Sequence, residues 1–348
     1  MTAVGAAGET LVEMTKVLGL GPAEAPFAAS LSEVARELDY ASTSSRHGSE
    51  TPFEWSMANR LFAERSYTFL ERFSTFLERH YGAGVEGVDF SSVPEAARVQ
   101  INSWITQKTK ERVADILSPN AVTPLSRLIL VNALYLKAPW SEVFPMRATR
   151  EEPFHLGDGR SISTPFMRRT DRFPYAETAA FKAVGVPFSH GGLQALFIVP
   201  APGRALEDLL AELSGEELSN LANGGSERLD LAVPKFTFEG ATLNLKELFY
   251  SLGMARAFDS PPGSADFSRM TGKSDLFISG IFHKVFVAVD ENGAEAAAST
   301  AVSMKVRGMP VVEPDPIRLV VDRPFLFAIQ HRSSGMCLFL GAIGNPQG

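Results

Sequence analysis

The chain has 348 residues, 45% hydrophobic and 21% charged, a composition able to bury a large core without covalent staples. A single cysteine, Cys337, excludes an intramolecular disulfide and a multi-cysteine zinc site. The balance of 33 basic against 40 acidic residues gives a net charge of −7 with no basic stripe, which argues against a nucleic-acid partner.

No run of about 18 uninterrupted apolar residues is present, so no transmembrane helix is expected. The N-terminus lacks a basic start and carries Glu9 and Glu13, so it does not read as a signal peptide. Met1 to Gly5 reads as the tail of a helix. Leu11, Met14, Val17 and Leu18 then recur at helical spacing and stop at Gly19-Leu20-Gly21-Pro22. A second helix is expected from Ala25 to about Tyr40, then a Ser/Gly-rich loop to Thr51 and a strand from Phe53 to Phe62. Tyr67 to Tyr81 has Phe69, Leu70, Phe73, Phe76 and Leu77 on one helical face. The next helix opens at Pro94 and turns Ala97, Ile101, Trp104 and Ile105 inward.

Residues Leu125 to Lys137 are apolar on both alternations in their middle, the pattern of a strand buried on both faces. Further strands are read at Phe181–Pro187, Leu193–Pro200, Leu229–Thr237, Ile281–Val289, Ile317–Val321, Phe325–Gln330 and Met336–Ile343. The last two flank a hairpin signal at Arg332 to Gly335. Helical patterns recur at Ala205–Leu213 and Leu243–Leu252. Helices dominate the first third and strands the rest without regular βα alternation. This is an α+β class with mostly antiparallel sheets.

Catalytic motifs are missing. None of the six histidines has HExxH spacing, and there is neither a GxSxG elbow nor a GxxxxGK[ST] loop. Cys337 sits in the apolar run Met336 to Leu340, where a buried structural thiol is expected rather than a nucleophile. No enzyme, cofactor or metal is therefore expected.

One segment does not fit the rest. From Ala294, alternate residues place Ala294, Ala296, Ala298, Thr300, Val302 and Met304 on one face and Glu295, Ala297, Ser299, Ala301, Ser303 and Lys305 on the other. The alternation is that of a strand with one small apolar face. Composition alone favours a short surface helix or a linker, since alanine is the best helix former and is depleted in strands. Beyond it, Arg307-Gly308 offers a long cation followed by a small residue. Trypsin-like proteases cleave such bonds, pairing the cation with an aspartate.

In this context the chain resembles the serpin family of serine-protease inhibitors. The resemblance rests on Gly293–Val302, Val131–Trp140, Ala58–Phe73, Ala97–Leu117, Phe282–Gly293 and Asp322–Ile329, in that family's order. It implies one serpin domain over residues 1–348, with three mostly antiparallel β-sheets, eight or nine helices and an exposed reactive-centre loop at about 291–316. The family's first helix and paired shutter serines have no counterpart in this sequence, so an N-terminally truncated domain is expected.

The resemblance also implies a mechanism. A target protease attacks the loop and forms an acyl-enzyme, and the cleaved loop enters the large sheet as an extra strand. The implied hinge is Glu291, Gly293, Ala294, Glu295, Ala296, Ala297, Ala298, Ser299 and Thr300. Sixteen positions after Glu291 lies Arg307, so Arg307–Gly308 is the expected reactive bond, with Lys305 and Met309 as fallback positions. Trp140 matches the breach, where insertion begins, and Asn132 and His283 match the shutter. The expected function is suicide inhibition of a trypsin-like serine protease by a monomer without nucleic-acid or membrane partners, outside the cell or in the periplasm. The alternatives are a non-inhibitory serpin acting as a binding module, or an inhibitor of a cysteine protease. A polyanion site at Arg168 and Arg169 is less expected than a solvated strand edge.

Overall fold

In a computed structural model, residues 1–20, 24–45, 53–82, 84–221, 224–294 and 314–347 are described. They form, in chain order, α1 (Gly8–Val17), α2 (Glu24–Ser45), β1 (Glu54–Glu64), α3 (Glu71–Tyr81), β2 (Val85–Val88), α4 (Pro94–Lys108) and β3 (Leu128–Pro139). Then come β4 (Arg150–His155), β5 (Ser161–Glu177), β6 (Phe181–Pro187), β7 (Leu193–Pro200), α5 (Leu206–Glu212), α6 (Gly215–Asn220), β8 (Gly225–Pro234), β9 (Phe236–Glu239) and β10 (Leu243–Asn244). The last elements are α7 (Lys246–Ser251), α8 (Ser268–Thr271), β11 (Ile278–Asp290), β12 (Gly293–Ala294), β13 (Ile317–Val320), β14 (Phe325–His331) and β15 (Cys337–Ile343). The α+β class holds, with eight α-helices among the described residues.

The strands make two hydrogen-bonded ladders. One runs β10-β11-β12-β3-β1-β2, with β9 on β11; the other runs β13-β8-β5-β6-β7-β14-β15, with β4 on β5. Two of the three implied sheets are thus one continuous ladder. The cause is β5, whose single run of 17 residues pairs with β4 at its start, β8 along its middle and β6 at its end.

Two compact units are distinguished, Met1–Glu37 with Ser56–Tyr135 and Glu239–Phe286, and Leu38–Trp55 with Leu136–Phe238 and Val287–Gly348. In the first, Phe73 and Leu77 of α3 pack with Met14, Leu61, Met270 and Ile278. A neighbouring cluster joins Ala97, Ile101 and Ile105 of α4 to Phe62, Val131 and Phe282. Trp104, expected inside, is only half-buried: it meets Phe62 edge-on at 5.6 Å and carries Arg60 on its face at 4.6 Å. In the second unit, Phe236 contacts Phe325 and Phe327 edge-on at 5.9 and 5.2 Å, filling the face of the sheet with aromatic area.

Several boundaries move for local reasons. The second helix runs on to Ser45 where a loop was expected, and in its last turn Thr43 and Ser44 turn their hydroxyls back onto the carbonyls of Asp39 and Tyr40. The third starts only at Glu71. The pattern read as one helix over 243–252 is a two-residue strand followed by α7. Strands β4 and β5 were not expected.

Cys337 is exposed, which corrects the expectation of a buried thiol. β15 is an edge strand, and a register shift between Ile329 and Gln330 of its partner turns the cysteine outward. Its sulfur still donates to the Phe339 carbonyl, and the desolvation there pushes the thiol up to about 11.

Candidate loop-insertion site

The expected site residues that are described fall into two groups. In the first unit, β3 and β11 run parallel and place His283 directly opposite Asn132. The His283 imidazole donates through Nδ1 to Asn132 Oδ1 at 2.5 Å, and Asn132 Nδ2 donates to Asn59 Oδ1 on β1. A short polar chain thus crosses three strands of an otherwise apolar sheet. Burial holds the His283 imidazole below its ordinary value, so the neutral ring is favoured. Asn59 was not singled out, although it lies in one of the blocks that carried the resemblance.

In the second unit, Trp140 follows the end of β3. Its indole Nε1 donates to the Asp290 carbonyl at 2.9 Å and its backbone N–H donates to the Asn292 carbonyl at 2.8 Å. The ring lies flat on Phe188 at 4.6 Å and edge-on to Phe144 at 6.1 Å. This aromatic group holds the turn from which the small-residue segment departs.

The turn is fixed at Glu291, whose side chain is 4% exposed. Thr149 Oγ1 donates to Oε1 at 2.7 Å, Lys235 Nζ pairs with Oε2 at 2.8 Å, and the Phe144 N–H donates to the Glu291 carbonyl at 2.9 Å. Burial pushes the carboxyl up, but the bonds from Lys235 and Thr149 outweigh it and hold the group below the usual carboxylate range. Thr149 and Lys235 carry no sequence signal. They are ordinary polar residues far along the chain, 142 positions away in the case of Thr149.

Asp290 Oδ1 accepts from the backbone of Asn292 at 2.7 Å and of Gly293 at 3.3 Å, closing the turn. Gly293 adopts φ +151°, and a Cβ there would lie 2.1 Å from the Ala138 carbonyl oxygen, so only glycine fits. Gly293 and Ala294 then pair antiparallel with Asp290 and Val289 on one side and with Pro139 and Ala138 on the other. This two-residue strand, β12, lies between β11 and β3, with Ala294 1% exposed. The remaining hinge residues, Glu295, Ala296, Ala297, Ala298, Ser299 and Thr300, lie outside the described residues, as do Arg307, Gly308, Lys305 and Met309.

Arg168 is not part of a free cationic surface: it pairs with Glu152 at 2.7 Å, with Asp230 at 3.9 Å beyond. Arg169 is packed over Phe144 and Phe173 at 5.0 and 4.7 Å. Among the described residues no group of three or more His, Cys, Asp or Glu side chains could hold a metal ion. No described helix is long and apolar enough to cross a membrane.

Comparison with known proteins gives a consistent result. Residues 1–346 match the family described as Serpin (serine protease inhibitor). An uncharacterised serpin-like protein of Thermococcus kodakarensis is 35% identical over 346 residues, covering 99% of this chain and 77% of that one. The leukocyte elastase inhibitor of Bos taurus is 34% identical over 306 residues, covering 85% and 78%. Among solved structures, the thermophilic serpin Tengpin in its native state superposes with a TM-score of 0.83 at 27% identity, covering 99% of this chain and 85% of that one.

Proposed function

The chain belongs to the serpin family, and on that premise we propose that it is a suicide inhibitor of trypsin-like serine proteases. The observation that carries this reading is β12, where the segment Gly293-Ala294 pairs on both edges between β11 and β3. The residues that follow are small, which favours entry of a further strand between two existing ones.

The chemistry follows from the loop. The protease serine oxygen attacks the carbonyl carbon of Arg307, and the bond from that carbon to the Gly308 nitrogen breaks. The nitrogen takes up a proton, and Arg307 remains esterified to the protease. The segment from Ala294 onward then continues β12 into the sheet before water reaches the ester. Trp140 and Glu291 hold the point where entry starts, and Asn132 and His283 hold the strands that must part. A bulky residue or proline between Ala294 and Thr300 slows entry, so the ester hydrolyses first and the inhibitor becomes a substrate. The protein acts as a single domain and as a monomer. Family members act both outside and inside cells, and the extracellular or periplasmic space is the location adopted for this one.

The test is incubation of the full chain with trypsin, followed by denaturing electrophoresis. A covalent complex at the summed mass is expected, and Arg307→Glu is expected to abolish it. Cleaved chain without any complex overturns the inhibitory reading in favour of a binding module, and a complex retained by Arg307→Glu overturns the assigned bond.

A further inference from the structure

One face of α3 is occupied by nothing the inhibitory reading uses. Arg72, Phe76, Arg79 and His80 stand one and two turns apart and so share that face. They line a hollow of about 450 Å³ together with Thr75 and Glu71. A second hollow of about 290 Å³ adjoins it, sharing Arg72 and Phe76 and closed by Val4, Phe73 and Arg269. All of these residues belong to the first compact unit.

The two hollows differ in chemistry. The second is walled mainly by carbon: Phe73 is buried, and Val4 and Phe76 are half-buried beside it. The first is cationic. Arg72 and Arg79 line it against a single carboxylate, Glu71, and Arg269 stands at the second hollow; none of the three arginines makes a hydrogen bond or ion pair with a described residue. The Phe76 ring lies 4.5 Å from the His80 ring, centre to centre, and His80 Nδ1 is buried without a hydrogen-bond partner. Exposed arginines beside an apolar wall give this face a cationic rim next to a carbon surface.

We propose that this face of α3 binds an amphiphilic carboxylate, with the head group on Arg72 and Arg79 and the hydrocarbon body against Val4, Phe73 and Phe76. Guanidinium groups match a carboxylate through paired N–H donors. The apolar body gains by leaving water. Arg269, at the rim of the apolar hollow, adds attraction without needing contact. The site is separate from the hinge and the reactive bond, so its occupancy does not depend on inhibitory competence.

The test is calorimetric titration of the full chain with dodecanoate below its micelle concentration. One saturable site is expected. Dodecanol, which keeps the tail and lacks the charge, and butyrate, which keeps the charge and lacks the tail, are each expected to bind at least tenfold more weakly. Arg72→Gln with Arg79→Gln is expected to weaken dodecanoate at least tenfold; both side chains are exposed, and an unchanged circular dichroism spectrum and melting curve check that the fold persists. Absence of saturable binding, equal affinity in the double arginine variant, or equal affinity for dodecanol overturns the assignment. Binding to phosphatidylserine vesicles without binding to free dodecanoate overturns it in favour of a membrane surface.

Discussion

Glu291 holds the turn from which the proposed loop entry starts, so its replacement is the sharpest test of the site. Two unit charges 2.8 Å apart attract by about 6 kcal/mol at an effective dielectric constant of about 20. Desolvation of a carboxylate this buried cancels much of that gain. Lys235, about a third exposed, is also partly screened by solvent. A net coupling of about 2 kcal/mol remains, in the range of a hydrogen bond to a charged group. Glu291→Gln keeps the shape and leaves an acceptor for Thr149, so its loss is expected to be this charge pairing alone. The assay is urea unfolding of the uncleaved chain in a double-mutant cycle with Lys235→Met. A coupling below about 0.5 kcal/mol refutes the reasoning.

The pH dependence follows from the same contacts. The Glu291 carboxyl is held below its usual value of 4.5 in the folded chain, so the unfolded chain binds the proton more readily. The stabilisation is therefore complete above about pH 4.5 and is lost as pH falls through the lower folded value. The stability difference between the wild type and Glu291→Gln is expected to be flat from about pH 6 to 8 and to shrink on acidification below about 4.5. A difference that grows on acidification refutes the pairing.

Four further outcomes are expected. Gly293→Ala puts a Cβ 2.1 Å from the Ala138 carbonyl oxygen at φ +151°. It should destabilise the uncleaved chain by about 1–3 kcal/mol in urea unfolding, and an unchanged midpoint would show that β12 is not held there. Asn132→Ala leaves His283 and Asn59 without their shared partner and should cost about 1–3 kcal/mol in the same assay. The His283 imidazole, held below its ordinary 6.5 by burial, contributes stability that is complete above that value and falls as pH drops through it. Titrating stability from pH 8 to 5 should therefore reveal a slope that His283→Gln removes. Cys337, exposed yet with its thiol pushed up to about 11 by desolvation, should be alkylated by iodoacetamide at pH 7.5 far more slowly than free cysteine; an equal rate would contradict that desolvation.

The parts legible in the sequence are those where a single physical demand acts on consecutive residues. β3 declares itself because it is buried along most of its length. The face of α4 shows because Ala97, Ile101 and Ile105 recur at helical spacing over Phe62. β4 and β5 do not show. Their stretches Arg150-Glu151-Glu152 and Arg168-Arg169-Thr170-Asp171-Arg172 look like solvated loop, yet they are paired strands in which Arg168 reaches Glu152 across the ladder. Cross-strand charge pairing leaves no periodic trace within either strand. The same limit applies at the site. Glu291, Trp140, Asn132 and His283 were found through blocks of resemblance, whereas Thr149 and Lys235, which hold Glu291 in place, are visible only once the chain is folded.

The register of β12 leads to a last prediction. Ala294 pairs with Ala138 on β3 and with Val289 on β11, antiparallel to both. Continued six residues, both ladders bring Thr300 to one level, between Asn132 on one side and His283 on the other. Those two residues are now directly opposed and joined at 2.5 Å. Admitting a strand moves β3 and β11 from about 5 Å to about 10 Å apart, so the bond between Asn132 and His283 must break. The bond from Asn132 to Asn59 need not, since β1 and β3 stay neighbours. In the proposed inhibitory cycle the Thr300 hydroxyl therefore replaces the broken bond, donating to Asn132 Oδ1 and accepting from His283 Nδ1–H. Thr300→Val, which keeps the shape and removes the hydroxyl, should destabilise the loop-cleaved form by about 1–3 kcal/mol while leaving the uncleaved form unchanged. In nitrogen-edited NMR the His283 Nδ1–H resonance should move on cleavage in the wild type. An unmoved resonance, with equal stability of the cleaved wild type and variant, would mean that the strand does not pass between these two residues.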